Sequence, residues 1–117
     1  MIVDDQAPFR LAAKAVLRRM EGFELVGEAK DGVEAISLAH ELRPDLVLMD
    51  IHMSNMDGLA ATRQIREFHP QARVVVVTDY DDDDLRKAAS EAGACGYALK
   101  QNLTELPGLI RSIVEKN

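Results

Sequence analysis

Residues 74–77 are four consecutive valines, opened by Arg73 and closed by Thr78. β-Branched side chains are stiff at χ1 and pack well on a pleated surface, so the run is predicted to be a strand. Because no polar residue interrupts it, that strand must be buried on both faces, as in a parallel sheet covered by helices. A second apolar run, Leu46–Met49, follows Pro44 and stops at Asp50; a third, Met1–Val3, stops at the pair Asp4-Asp5. Both end abruptly in carboxylates. In open parallel sheets the carboxyl edge is where ligands bind, because the loops leaving the strands splay apart there.

Helical spacing fills the intervals. Pro8 suits a first turn, and Phe9, Ala12, Ala13, Val16, Leu17 and Met20 recur at helical intervals, with Arg10, Lys14, Arg18 and Arg19 opposite. Gly22 ends that helix, and Phe23–Ala29 alternates as a strand. Asp31 and Glu34 form a capping-box pattern opening a helix with Val33, Ile36 and Ala39 on its apolar side and Leu42 near its end. A third helix is predicted from about Gly58 to Phe68, with Leu59, Ile65 and Phe68 as core candidates. Asp81–Asp84 cap a fourth that ends near Gly93, Tyr97–Lys100 makes a short fifth strand, and Thr104–Glu115 a last helix with Leu106, Leu109, Ile110, Ile113 and Val114 inside. Five strands alternating with five helices give an α/β fold: a doubly wound parallel sheet in a three-layer sandwich.

Composition narrows the function. A length of 117 residues suits one domain, and 20 acidic against 14 basic residues leave a net charge of -6, a poor match for nucleic acid. No apolar stretch approaches the ~20 residues that span a bilayer, and no signal-peptide pattern is present, so no membrane partner is expected. The lone Cys95 has no internal disulfide partner, which fits a reducing cytoplasm; between Ala94 and Gly96 it is expected to be a small buried hydrophobe. His40 and His69 read as helix-surface or helix-end residues.

The chemistry assembles at the strand ends: Asp4 and Asp5 from the first, Asp50 from the third, Thr78 from the fourth and Lys100 from the fifth. If the first and third strands are neighbours, three carboxylates converge, which is unfavourable unless a cation or proton offsets them. Carboxylates are hard ligands for Mg²⁺, a metal that shares its remaining positions with phosphoryl oxygens. A Lys and a Thr hydroxyl can serve those oxygens as well. The set contains the parts for phosphoryl transfer to a carboxylate, with Asp50 as nucleophile. No nucleophilic Ser or Cys with a base, and no phosphate-binding glycine loop, competes with it.

The paired acids Asp4-Asp5, the segment Asp50-Ile-His-Met-Ser-Asn-Met-Asp-Gly58, Thr78, and Ala92-Gly-Ala-Cys-Gly-Tyr-Ala-Leu-Lys100 form an ordered set over the whole chain. No single piece is specific, but together they resemble the receiver domain of a two-component response regulator. The resemblance implies a flavodoxin-like sheet in the order 2-1-3-4-5, with residues 1–117 as the receiver and no effector domain in the chain. It implies that Asp50 is the phosphoacceptor, charged by a sensor histidine kinase or a small phosphodonor. Asp5 would be the principal ligand of Mg²⁺ or Mn²⁺, with Asp50 and the backbone carbonyl of His52, and Asp4 would hold the metal partly through water. Thr78 and Tyr97 would be the switch: the hydroxyl moves toward the phosphoryl group, Tyr97 rotates into the vacated space, and the face of the fourth helix, fifth strand and fifth helix is remodelled. Such a chain is a signalling switch rather than an enzyme, with self-phosphorylation and dephosphorylation at most, and homodimerisation through the remodelled face is implied.

Four positions depart from the family's usual pattern. The first strand has three residues before Asp4, which suggests that the chain begins inside the strand; Ser54 stands where Pro is usual, which implies a looser loop; Asp79 follows the switch Thr where a small residue is usual; and Gln101 follows Lys100 where many members have a cis Pro. A non-proline cis bond costs roughly 2.5–4 kcal/mol, so a trans Lys100-Gln101 bond and a less firmly placed Lys100 are expected. Lack of that Pro, with Gly-Tyr-Ala-Leu-Lys100, is closest to the LuxR-type branch, whose DNA-binding helix-turn-helix, absent here, would control transcription. The run Asp79 and Asp81–Asp84 reads first as a solvated helix start that suits the dipole, and second as an overhang that repels anionic phosphodonors. His52 and Tyr80 would flank the site and tune hydrolysis of the acyl phosphate. Two rivals differ in their needs. A haloacid-dehalogenase-type phosphatase wants a second Asp two residues after the nucleophile, where this chain has His52; a docking module with no phosphoryl chemistry needs none of these acids.

Overall fold

A computed structural model describes residues 1–115. Five strands, β1 (Ile2–Val3), β2 (Glu28–Ala29), β3 (Leu46–Met49), β4 (Arg73–Thr78) and β5 (Gly96–Leu99), pair in parallel in the order β2-β1-β3-β4-β5. The helices α1 (Ala7–Arg18), α2 (Gly32–Leu42), α3 (Gly58–Phe68), α4 (Asp83–Glu91) and α5 (Leu106–Glu115) alternate with them. This is the expected doubly wound sheet.

Side-chain alternation along the central strands distributes the helices between the two faces. Val47, Met49 and Val74 point into a cluster with Ala35, Ala39, Ala61 and Ile65 of α2 and α3. Leu48, Val75 and Val77 point the other way, onto Ala13 and Leu17 of α1 and Leu106 and Ile110 of α5. Val76 meets Ile51 and Ala89, which seats α4. The four valines are at most 1% exposed, as their unbroken apolar run demands.

The helix starts follow local chemistry. Asp31 Oδ1 accepts from the Glu34 N–H at 2.8 Å, Asp57 Oδ1 from the Ala60 N–H at 2.9 Å, and Asp82 Oδ1 from the Asp84 and Leu85 N–H groups at 2.8 and 3.1 Å. Capping of this kind satisfies donors that the first turn leaves free. The Asp81–Asp84 run is thus accounted for in large part by α4 itself.

Several expectations are corrected. The strand predicted over Phe23–Ala29 shrinks to Glu28–Ala29, because β1 offers ladder partners only from Gly27 onward; Phe23 and Leu25 instead pack beside the α1–α5 cluster. Val33 is 55% exposed: it lies about 200° around the helix from Ala35 and so faces water. Cys95 is exposed rather than buried, since it precedes the edge strand β5, tethered there by its N–H to the Val74 carbonyl at 2.9 Å. The last helix begins at Leu106, not Thr104, after a 3₁₀ segment over Lys100–Glu105 with a break at Asn102. His69 caps the carboxyl end of α3 as a helix-end residue, yet is buried, with Nε2 2.9 Å from the Pro44 carbonyl, whereas His40 is exposed and stacks on Phe68. No peptide bond is cis among the described residues, so Lys100-Gln101 is trans as expected. No described helix is long and apolar enough to cross a membrane.

Ile65, fully buried between β3, β4 and α2, and Val33 differ in what truncation removes. Ile65→Ala should cost about 2–5 kcal/mol in urea-induced unfolding, while Val33→Ala should stay within about 0.5 kcal/mol of the parent.

Candidate functional site

Register brings the polar residues to one edge. Val3 pairs with Met49, so Asp4 and Asp50, each one residue further, leave adjacent strands side by side. Met49 pairs with Val76 and Thr78 with Leu99, which sets Thr78 and Lys100 at the same edge. The Asp50 N–H donates to the Val3 carbonyl at 2.9 Å and continues the ladder into the site.

Carboxylate oxygens of Asp4, Asp5 and Asp50 lie within 4.8 Å of one another. Asp4 is fully buried and Asp50 nearly so, while Asp5 is exposed. Asp4 is held at several points: its N–H donates to the Ala29 carbonyl at 3.0 Å, its Oδ1 accepts from the Gln6 N–H at 2.8 Å, and its carbonyl accepts from Arg10 Nη1 at 2.7 Å. Lys100 Nζ reaches Asp4 Oδ2 at 2.7 Å and Asp50 Oδ1 at 3.6 Å.

One ammonium leaves the cluster with an excess of negative charge, and the Asp50 carboxyl responds. Burial, then the nearby Asp4, push its pKa up to about 6, against the opposing pull of Lys100. Burial acts to lower the Lys100 pKa, but the Asp4 hydrogen bond and the charges of Asp50, Asp4 and Asp79 outweigh it and the net shift is upward. Hard oxygen donors converging on one point and an incompletely neutralised charge together fit a divalent cation.

Thr78 is buried and its Oγ1 accepts weakly from the Tyr80 N–H at 3.4 Å. The Tyr97 hydroxyl donates to the Tyr80 carbonyl at 2.6 Å, which ties β5 to the segment after Thr78. Over the Tyr97 ring, at 4.5 Å, lies the Arg86 guanidinium, itself paired with Asp81 at 2.9 Å. His52 and Tyr80 are exposed and meet edge to face at 5.0 Å, and Asp79 is also exposed.

The loop over residues 51–57 is tied at both sides. The Gly58 N–H donates to the Ile51 carbonyl at 2.9 Å, and a Cβ at Gly58 would overlap the Asp50 carbonyl oxygen. Asn55 and Met56 are left-handed; the Asn55 carbonyl accepts from the Val33 N–H at 3.3 Å, and a Cβ at Gly32 would lie 2.5 Å from the Met56 carbonyl oxygen. Ser54 lies in this segment, between the contacts to α3 at Ile51 and to α2 at Asn55 and Met56.

Asp4, Asp5, Asp50 and Lys100 come together as expected, with Thr78 and Tyr97 on the adjoining strands. Sequence reasoning missed Arg10, Phe9 and Arg86. Phe9 and Arg10 carried only an amphipathic helix signal, yet the Phe9 ring lies 4.8 Å from Lys100 Nζ.

Residues 1–111 match the family model described as the response regulator receiver domain. The transcriptional regulatory protein LiaR of Bacillus subtilis is 39% identical over 113 residues, 96% of this chain and 54% of that protein. The response regulator protein VraR of Staphylococcus aureus is 42% identical over 100 residues, 86% of this chain and 48% of that protein. The chain therefore spans about half the length of these curated relatives. A LuxR-family two-component response regulator from an Aurantimonas species is 35% identical with a TM-score of 0.94, covering all of this chain and 84% of that one. The receiver domain of the NarL response regulator from Mycobacterium tuberculosis is 28% identical with a TM-score of 0.90, covering 99% and 94%.

The raised Asp50 pKa has a stability consequence. Between pH 3.8 and about 6 the folded protein holds a proton that the unfolded chain has lost, so stability falls as pH rises through that window and stays low above it. In metal-free buffer at pH 8, Asp50→Asn, which leaves Lys100 its Asp4 partner, should be more stable than the parent by up to about 3 kcal/mol. The advantage should vanish near pH 4 in thermal melts.

Proposed function

The chain belongs to the response regulator receiver family, and from that premise we propose that Asp50 accepts a phosphoryl group from a sensor histidine kinase and thereby switches an output surface. The observation that carries this reading is the convergence of Asp4, Asp5, Asp50 and Lys100 on one sheet edge. Asp5, Asp50 and the His52 carbonyl would hold Mg²⁺, or Mn²⁺, with Asp4 acting partly through water. The ion would offset charge on the transferring group, a role hard cations fill in phosphoryl transfer.

Asp50 supplies the carboxylate oxygen that bonds to phosphorus. The phosphorus–nitrogen bond of the donor imidazole breaks as the new bond forms, and the ring leaves with the electron pair. A pKa of about 6 leaves Asp50 mostly ionised at neutral pH, as a nucleophile must be. Lys100 pairs with the phosphoryl oxygens, and Thr78, buried beside them, donates its hydroxyl. As Thr78 turns toward the phosphoryl group, the space beside it changes, and Tyr97 with it the α4–β5–α5 face. Phosphorylation has only to bias two arrangements that differ by a few kcal/mol. By analogy with LiaR, a transcriptional regulatory protein, and with a DNA-binding response regulator of the LuxR family, the output is transcription through a DNA-binding segment outside this chain. A homodimer on the remodelled face is part of the same proposal and follows from the receiver resemblance alone. As a receiver domain that takes its phosphoryl group from a histidine kinase, the protein would act in the cytoplasm.

Incubation with acetyl phosphate and Mg²⁺ should add a single phosphoryl group, located at Asp50 by mass spectrometry and absent from Asp50→Asn or after chelation. Multiple turnover would indicate a phosphatase, and no labelling a docking module. Tyr97→Ala should still be labelled but lose the amide shift changes of α4 and α5 that follow phosphorylation in the parent; unchanged shifts would remove Tyr97 from the switch.

A further inference from the structure

Lys100 leaves β5 through a trans bond into a 3₁₀ segment broken at Asn102. Its ammonium is confined by what surrounds it. Its side chain is 9% exposed, with Asp4 Oδ2 at 2.7 Å, Asp50 Oδ1 at 3.6 Å, and the Phe9 ring centre at 4.8 Å. An ammonium has three N–H donors and no acceptor, and two carboxylates and a ring face are three electron-rich partners.

Phe9 is itself well fixed. It lies in the first turn of α1 and packs on the cluster that contains Ile2, Leu48 and Leu106. Its neighbour Arg10 donates to the Asp4 carbonyl, so the start of α1 is bound to the site at two consecutive residues. From these contacts we infer that Phe9 is a positioning residue for phosphoryl transfer: its ring keeps the Lys100 ammonium desolvated and aimed across Asp4 and Asp50. The inference rests on the reading of Asp50 as phosphoacceptor.

A ring face differs from a carboxylate as a ligand because it imposes no single N–H direction. The ammonium can pivot from Asp4 toward an incoming phosphoryl oxygen while still held against the ring. An aliphatic side chain of similar size would fill the space but would offer the cation nothing, and water or Asp4 alone would set its position. Metal affinity should be indifferent to the change, because Phe9 supplies no oxygen.

Phe9→Leu and Phe9→Tyr separate this role from packing. At saturating acetyl phosphate and Mg²⁺, Phe9→Leu should be labelled about three- to tenfold more slowly than the parent, while Phe9→Tyr stays within about twofold. The Mg²⁺ midpoint, measured by calorimetry, should be the same in all three. In the metal-free protein the ε-methylene protons of Lys100 should show an upfield ring-current shift that is kept in Phe9→Tyr and lost in Phe9→Leu. Equal labelling rates for the parent and Phe9→Leu, a Phe9→Tyr as slow as Phe9→Leu, or no ring-current shift in the parent would each overturn the inference. If the parent itself takes no phosphoryl group, the Asp50 reading fails separately, and the ε-methylene shift still decides whether the ring holds the cation.

Discussion

The pairing of β1 with β3 is the interaction on which the rest of this molecule depends. Ladder hydrogen bonds fix Val3 beside Met49, and the next residue on each strand is a carboxylate that the end of the apolar run leaves at the sheet edge. Two such groups in a nearly dry setting repel, so the site is charged against itself before any ligand arrives. Lys100, delivered from the far side of the sheet, relieves that repulsion only in part. The raised proton affinity of Asp50 is therefore built from the same hydrogen bonds that build the sheet.

Much of this architecture was legible because the strongest local signals agree with the tertiary ones. The valine run has one environment open to it, and Asp31 and Asp82, the latter within the Asp81–Asp84 run, cap the helices that their positions announce. What local pattern could not convey was the limit set by a neighbour. Phe23–Gly27 alternates as a strand should, but β1 is too short to pair with it. Cys95 has a buried residue's composition around it and an edge strand's geometry. The break between β5 and α5 is likewise invisible to helical periodicity, since the 3₁₀ segment carries an apolar residue of its own, Leu103, packed on the same cluster as α5.

The site shows the same division. Each carboxylate, the Thr and the Lys stand at strand ends, where the sequence marks them by the change from apolar to polar. Phe9 and Arg10 are on a helix whose apolar and basic faces give a sufficient structural reason for both, so nothing marked them as neighbours of the charged cluster. Arg86 is similar: on an acidic helix it reads as a surface residue, and only the fold lays it over Tyr97 while Asp81 holds it there. Contacts between residues far apart in the chain are set by topology, and a one-dimensional pattern does not encode them.

The close approach of Gly32 to the Met56 carbonyl carries a lesson for genetics. Position 32 belongs to the start of α2 and holds none of the acids, yet any side chain there must push the left-handed turn that follows Asp50. In a screen that scores only the signalling output proposed above, alleles at this glycine would be grouped with lesions of the acidic residues. Purified protein would tell the two groups apart, because the glycine alleles keep every acid and fail through a displaced turn, and a second-site change that trims Met56 is the natural place to look for suppressors.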